Sequence, residues 1–209
     1  GWRFSAARGY LWPAQNRSNL KIVTDVLATK IIFEGKKACG IEYDRAGEKE
    51  SATASKGVIL SGGTFGSPQL LMLSGIGPGE HLKEHGIEVL VDLPGVGQNF
   101  QDHAGIEQSI RVNVPTYNVQ TSLLDYLSFA LKWLMFGTGP LSNPMAEVVG
   151  VLHSDTNEQY SRVQYLYTPA GYKLSETGPK LLDKPTVTGL TNLHRPYSAG
   201  HVYLKSSDP

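Results

Sequence analysis

Apolar residues in this chain come in short, interrupted runs, and the spacing of those runs changes along its length. Up to residue 61 the pattern is that of strands, with apolar and polar positions alternating or apolar runs too short for a helix. Residues 19–24 and 26–33 read as strands, the second rich in β-branched side chains. Glu34-Gly35-Lys36-Lys37 and Asp44-Arg45-Ala46-Gly47 carry the residues that tight turns favour, so residues 38–43 and 48–55 continue a meander. Val58-Ile59-Leu60-Ser61 then has the length and flanks of a buried strand, and Gly62-Gly63 ends it with backbone free to adopt positive φ. Past that point the spacing turns helical. Ser67 suits an N-cap, Pro68 the first helical position, residues 69–74 the helix body and Gly75 the stop. Residues 78–85 predict a short helix closed by Gly86, and residues 87–91 another strand.

Beyond residue 103 the composition shifts, and a soft boundary near residue 105 divides the chain into residues 1–105 and 106–209. Residues 108–114 alternate as a strand. Thr121 or Ser122 can cap a helix running to Phe136, with Leu123, Leu124, Leu127, Leu131 and Leu134 at helical spacing, and Gly137-Thr138-Gly139-Pro140 stops it. This stretch reads as a core helix. Residues 148–152, 162–168 and 189–193 read as strands, and residues 3–13 as a short element ended by Trp12-Pro13.

Composition narrows the classes of function. With 209 residues, 40% of them hydrophobic, the chain can bury one good core or two small ones. Its formal net charge is zero, so it carries no electrostatic footprint for nucleic acid or an anionic membrane surface. No segment has the ~20 consecutive apolar residues of a membrane span. The single cysteine, Cys39, has no partner for an internal disulfide.

Three stretches invite chemical readings. Strand, glycine turn and helix across residues 57–77 match the local layout of nucleotide-binding α/β domains, where free N–H groups at a helix start meet an anion. His81-Leu82-Lys83-Glu84-His85 matches the H-x-x-E-H arrangement of some zinc peptidases. There His81 and His85 would share one helix face, Glu84 would act as general base, and Glu147 or Glu158 would be the third ligand. Asp102-His103 could pass for two-thirds of a catalytic triad, but with no nucleophile placed beside it the pair reads as structural, bonding a buried backbone. Gly95 and Gly97 do not make a dinucleotide fingerprint, because Phe100 stands where its third glycine would fall.

Residue for residue, positions 63–77 (Gly63, Thr64, Ser67-Pro68, Leu70-Leu71, Ser74-Gly75-Ile76-Gly77) resemble the second signature of the glucose–methanol–choline (GMC) family of FAD-dependent oxidoreductases. The run from Leu93 to His103 resembles the Leu-Pro-Gly-Val-Gly-x-Asn-Leu-x-Asp-His segment that follows that signature, and residues 195–209 resemble a Pro-x-Ser-x-Gly-x-Val-x-Leu-x-Ser-x-Asp-Pro stretch of the same family. Small departures stand at Gly62, Thr64 and Gly66, where members often carry alanine, alanine and asparagine. The resemblance implies a mixed α/β (α+β) fold: residues 1–105 as a partial FAD-binding nucleotide fold with an inserted β-meander, and residues 106–209 as part of an antiparallel-sheet substrate domain that includes the last strand. It further implies FAD as cofactor and a small-molecule alcohol, sugar or choline-like substrate whose hydride passes to flavin. Ala28 would meet the adenine through its backbone, as the commoner valine does. Gly62, Gly63 and Ser67 would complete the cradle, with the doubled glycine against the adenosine end. The family's N-terminal glycine fingerprint and its C-terminal catalytic histidine have no match here. None of His81, His85, His103, His153, His194 and His201 lies in that histidine's context, so the chain reads as an internal part of a larger enzyme, with little activity alone. A GMC-like chain serving as a non-enzymatic binding module is the remaining alternative.

Overall fold

The computed structural model describes residues 4–144, 146–153, 157 and 159–209. Arg3 and Glu158, which figure in the expectations above, lie outside them. The chain divides into two compact units, each built from two stretches of sequence: Gly1–Pro13 with Asp102–Tyr197, and Ala14–Gln101 with Ser198–Pro209. The sequence suggests one cut after residue 105; the structure instead returns the last stretch to the unit formed by residues 14–101.

That unit begins with an antiparallel meander, β1 (Leu27–Glu34), β2 (Lys37–Arg45) and β3 (Glu48–Thr53), in the order β1-β2-β3. Its second hairpin turns on Ala46 and Gly47, both at positive φ (53° and 90°), the geometry that follows the twist of the flanking strands. The Asp44 carboxylate fastens the turn by accepting the Gly47 N–H at 2.8 Å. Residues 19–24, expected as a preceding strand, pair with nothing in this sheet. Asp25, at φ 59°, redirects the backbone just before β1 begins.

A larger departure concerns Val58–Ser61. These residues join no ladder, and Ile59 is 92% exposed. An apolar run becomes a buried strand only where a neighbour completes its backbone hydrogen bonds, and no segment among the described residues does so. The helix that follows, α1 (Gly63–Leu73), starts five residues earlier than Ser67-Pro68 suggests, so Pro68 lies inside it and Gly62 is its N-cap. Its end is where glycine places it: Ser74 is the C-cap and Gly75 follows at φ 83°.

Close packing organises the next stretch. β4 (Ile76–Gly77) runs parallel to β5 (Val91–Asp92), with α2 (Gly79–Glu84) between them. The Gly75 carbonyl accepts the N–H groups of Leu90 and Val91 at 2.8 and 3.1 Å. A Cβ on Gly75 would stand 2.5 Å from the Glu88 carbonyl oxygen, and one on Gly77 would stand 2.8 Å from the Met72 side chain. Met72 and Leu82, both 0% exposed, form the core with Val96 and Leu204, ringed by the partly buried Leu71, Leu73, Ile76, Ile87 and Val89. Buried Ser74 ties helix to sheet: its hydroxyl donates to the Leu70 carbonyl (2.6 Å) and accepts the Ile31 N–H of β1 (2.8 Å). A short strand, β6 (Gln98–Phe100), ends this part of the unit.

The other unit holds a four-stranded antiparallel sheet. Its strands are β7 (Gly105–Arg111), β8 (Val148–Leu152), β9 (Val163–Thr168) and β12 (Thr186–Leu193), in the order β7-β12-β9-β8. The hairpin β10 (Tyr172–Ser175) and β11 (Gly178–Leu181) precedes β12. A π-helical turn at Ala7–Leu11 belongs to the same unit. α3 (Leu123–Phe136) starts at Ser122, which forms a capping box with Asp125, and ends at Gly137 in the left-handed region. It is not the core helix its leucine spacing suggests, since none of its residues is buried and Leu123 and Leu124 are 74% and 77% exposed. Among the described residues no helix is long and apolar enough to cross a membrane.

After residue 197 the chain rejoins the unit of residues 14–101, where β13 (Gly200–His201) pairs antiparallel with β6. The closing segment, expected in the antiparallel substrate-side sheet, is therefore paired elsewhere.

Candidate functional site

At the head of α1 a sequence signature, free backbone donors and a cavity coincide. No side chain caps this helix and no acidic residue occupies its first turn, so its leading N–H groups keep their donor capacity. Gly63 sits at φ 75°, which only glycine adopts without strain, and the space a Cβ would fill at Gly63 and at Gly66 is open. At Gly62 the reverse holds: a Cβ would stand 3.1 Å from the Ser67 backbone nitrogen, so this glycine lets the first turn close on itself.

Beside this turn lies a cavity of about 450 Å³, lined on one side by Thr64, Ser67 and Leu71 and on the other by the loop Val96 to Gln101, with Val202 closing it. The loop is shaped by two left-handed residues, Gly97 (φ 78°) and Asn99 (φ 59°). A Cβ on Gly97 would collide with the Val202 carbonyl, whose residue donates its N–H back to the Gly97 oxygen at 2.8 Å. Gln98 donates from Nε2 to the Tyr203 hydroxyl at 2.6 Å, and the Phe65 and Phe100 rings lie 5.4 Å apart. No titratable side chain lines the cavity. It can bind through amides, hydroxyls and apolar surface, but it holds no group that could move a proton near neutral pH.

The expected residues are therefore only partly gathered. Gly62, Gly63 and Ser67 share the first turns of α1, and of these Ser67 lines the cavity. Ala28 sits on β1 opposite Tyr43, next to a bulge, and its neighbours Leu27 and Thr29 line a different cavity with Leu73 at the far end of α1. Gln98 and Asn99 entered the sequence reading only within the family-like run from Leu93 to His103, not as site residues. An asparagine two residues after a glycine, in a segment without periodicity, is a sign of a left-handed turn that could have drawn attention to Asn99.

The zinc reading fails on geometry. His81 accepts the Leu204 N–H at Nε2 (3.1 Å), and His85 Nε2 lies 3.0 Å from the Leu204 carbonyl oxygen, so both nitrogens that would face a metal are committed to backbone. Glu84 Oε2 stands 4.0 Å from His81 Nδ1 and is exposed. Glu147 belongs to the other unit, where Tyr117 and Asn143 donate to it. Among the described residues no cluster of histidine, cysteine and acidic side chains could hold a metal ion. Asp102 and His103 are both exposed rather than buried. Asp102 accepts its neighbour's own N–H at 2.7 Å, and the His103 ring lies 5.3 Å from that of His194.

The model of a family described as GMC oxidoreductase matches residues 1–105. The chain belongs to the GMC oxidoreductase family. It is 37% identical to the oxygen-dependent choline dehydrogenase of Burkholderia ambifaria over 211 residues, an alignment covering 100% of this chain and 37% of that protein. A formate oxidase variant of Aspergillus oryzae, studied for FAD modification, superposes with a TM-score of 0.76 at 27% identity, over 94% of this chain and 39% of its own. An FAD-dependent oxidoreductase of Chaetomium thermophilum has the same fold, with a TM-score of 0.78 at 22% identity over 97% of this chain and 41% of its own. This GMC chain thus spans 37% of the length of the curated relatives it matches.

Proposed function

We propose that the protein is an FAD-dependent oxidoreductase acting on the CH–OH group of a small alcohol, sugar or choline-like donor, and that residues 1–209 supply part of its flavin cradle. The observation that carries this is the uncapped head of α1, with Gly63 held at φ 75°, opening beside a cavity with no titratable lining. Membership of the GMC family and the choline dehydrogenase and formate oxidase relatives support the same reading.

When bound, FAD supplies the hydride acceptor. The residues present fit such a group. The N–H groups at Gly63 and Thr64 suit a phosphate, because donors at a helix start point outward and nothing local competes for them. The Ser67 hydroxyl and the loop Val96 to Gln101 offer polar and apolar surface on two sides; Ala28, which the resemblance assigns to the adenine, stands outside this cavity and adds nothing to the fit. The lining holds no titratable side chain and can bind and orient, so the base that takes the substrate's hydroxyl proton is not among these residues.

Flavin retention tests this directly. Purified protein incubated with FAD and desalted should keep the flavin's visible absorbance. Gly63→Val, which forces a branched side chain into a left-handed position and fills the space at the helix head, should weaken binding about tenfold or more. Its far-ultraviolet circular dichroism should match wild type. Absence of bound flavin, or equal retention by the variant, would overturn the assignment.

A further inference from the structure

The histidines of α2 do something other than hold a metal. A carbonyl oxygen only accepts, so His85 carries its proton on Nε2 and donates to Leu204 O, whereas His81 must be unprotonated at Nε2 to accept from Leu204 N. Two side chains one helical turn apart thus engage both backbone groups of one residue, as a neighbouring strand would. Rings surround the contact. His81 stacks on Tyr203 at 4.5 Å between centroids, meets His85 edge-on at 4.6 Å, and His201 lies 4.4 Å from Tyr203. The side chain of Leu204 meanwhile sits in the core with Met72, Leu82 and Val96.

We propose that His81 and His85 form an acid-released clamp on residues 198–209: neutral His81 holds Leu204, and its protonation lets the segment go. Imidazolium has donors at both nitrogens and no acceptor, so the Leu204 N–H would face an N–H instead of a lone pair. The groups facing His81 are Glu84 and His85 from its own helix and His201 and Tyr203 from the clamped segment; Asp92 on β5 is engaged by the Gly79 N–H at 2.9 Å. Burial of the ring, with the neighbouring His85 and His201 adding to it, holds His81 below its ordinary 6.5 against the pull of Glu84. The unfolded chain therefore binds the proton more readily. The clamp's contribution is complete above 6.5 and is lost as pH falls through the depressed value.

The clamped segment also carries β13, paired with β6, and Val202, which closes the cavity at the head of α1. Acidification is thus coupled to one wall of that cavity. The clamp does not depend on what the cavity binds, so it is tested without flavin.

Hydrogen exchange of the purified protein, read by mass spectrometry between about pH 7.5 and about pH 5 and corrected for intrinsic rates, decides it. Exchange in peptides covering residues 198–209 should rise about tenfold on acidification, the factor that corresponds to losing one hydrogen bond of a buried group. Peptides of β1–β3 should hold steady. His81→Gln keeps an uncharged acceptor near the Nε2 position and should flatten the response, while His201→Asn, which leaves both clamp contacts in place, should retain it. A flat wild-type profile overturns the proposal even if His81→Gln does not fold. So does a full response in His81→Gln, or its loss in His201→Asn.

Discussion

The two units of this chain fill their interiors by different means. In residues 14–101 with 198–209, the fully buried side chains are Met72 and Leu82, and Gly75, Gly77 and Gly97 let backbone press against the surrounding structure. In residues 102–197 the buried set is mostly polar: Thr116, Asn118, Thr168, Thr186, Thr188 and Asn192, with Val187 the buried aliphatic. An apolar interior is held by area removed from water and responds to substitution by degrees. A polar interior is held by donors finding acceptors, and losing one member strands its partners. The first should therefore tolerate a change of side chain that keeps volume, and the second should not.

The sharpest way to break that contrast is at Asn118. Its amide donates to the carbonyls of Leu182 (2.8 Å) and Lys184 (2.7 Å), and its Oδ1 accepts from the Thr116 hydroxyl (2.6 Å) and the Gly171 N–H (2.9 Å). Four hydrogen bonds satisfy the whole side chain and join the loop before α3 to both ends of the β10–β11 hairpin. Asn118→Leu keeps the size and leaves those four partners in the dark, so a loss of roughly 3–5 kcal/mol is expected. Even the isosteric Asn118→Asp should cost several kcal/mol, because a carboxylate cannot donate to two carbonyls. Trp12 and Trp133 belong to this unit and residues 14–101 and 198–209 contain no tryptophan, so urea unfolding followed by tryptophan fluorescence reads the effect. A loss below about 1 kcal/mol would mean the network is incidental.

The same contrast explains what could be read from sequence. Glycine punctuation and short apolar runs mark β1, β2, β3, the end of α1 and the turn into α2, because each is set by local backbone preferences. The strands of the four-stranded sheet were legible too, β8 at its observed bounds and β7, β9 and β12 shifted by one to three residues at their starts. The buried start of β12 carries Thr186 and Thr188, a residue type a hydrophobic pattern assigns to the surface, and Thr186 is held there by hydrogen bonds with Thr116 and Lys184. At Ser67-Pro68 the local rule for a helix start was overridden, since α1 already begins at Gly63 and carries the proline within it. Ile59 shows the converse error: apolar character alone does not bury a strand that lacks a ladder partner. Of the candidate site, Gly63 and Ser67 were offered by the family signature, and Gly62 by the doubled glycine beside it. The loop carrying Gly97 and Asn99 matters through its φ values and its approach to Val202, which only three-dimensional packing reveals.

In the apolar unit the corresponding test is Leu82. Truncation to alanine removes most of a side chain with no exposed surface in a core where Met72, Val96 and Leu204 cannot all follow it inward, for a loss of about 3 kcal/mol. Leu82→Met, which nearly conserves volume, should cost about 1 kcal/mol or less. Hydrogen exchange of peptides across residues 63–92 measures both, since tryptophan does not report here. Equal losses in the two variants would erase the distinction from Asn118.

The smallest effect is expected at α3, which neither kind of interior supports. With no residue buried, this helix depends on its ends more than most. At its start the Ser122 hydroxyl accepts the Asp125 N–H (3.2 Å), and the Asp125 carboxylate accepts both the N–H (3.1 Å) and the hydroxyl (2.6 Å) of Ser122. The carboxylate also lies in the first turn, where the helix dipole favours negative charge. Ser122→Ala removes the hydroxyl from both of its bonds, for about 1 kcal/mol of local stability. Exchange across residues 123–136 should quicken about fivefold, the factor equivalent to that energy, with Asn118-centred and Leu82-centred peptides unchanged. If the helix were instead held by packing, cap removal would leave its exchange where it was, and the exposed leucines along it could not be its ordinary state.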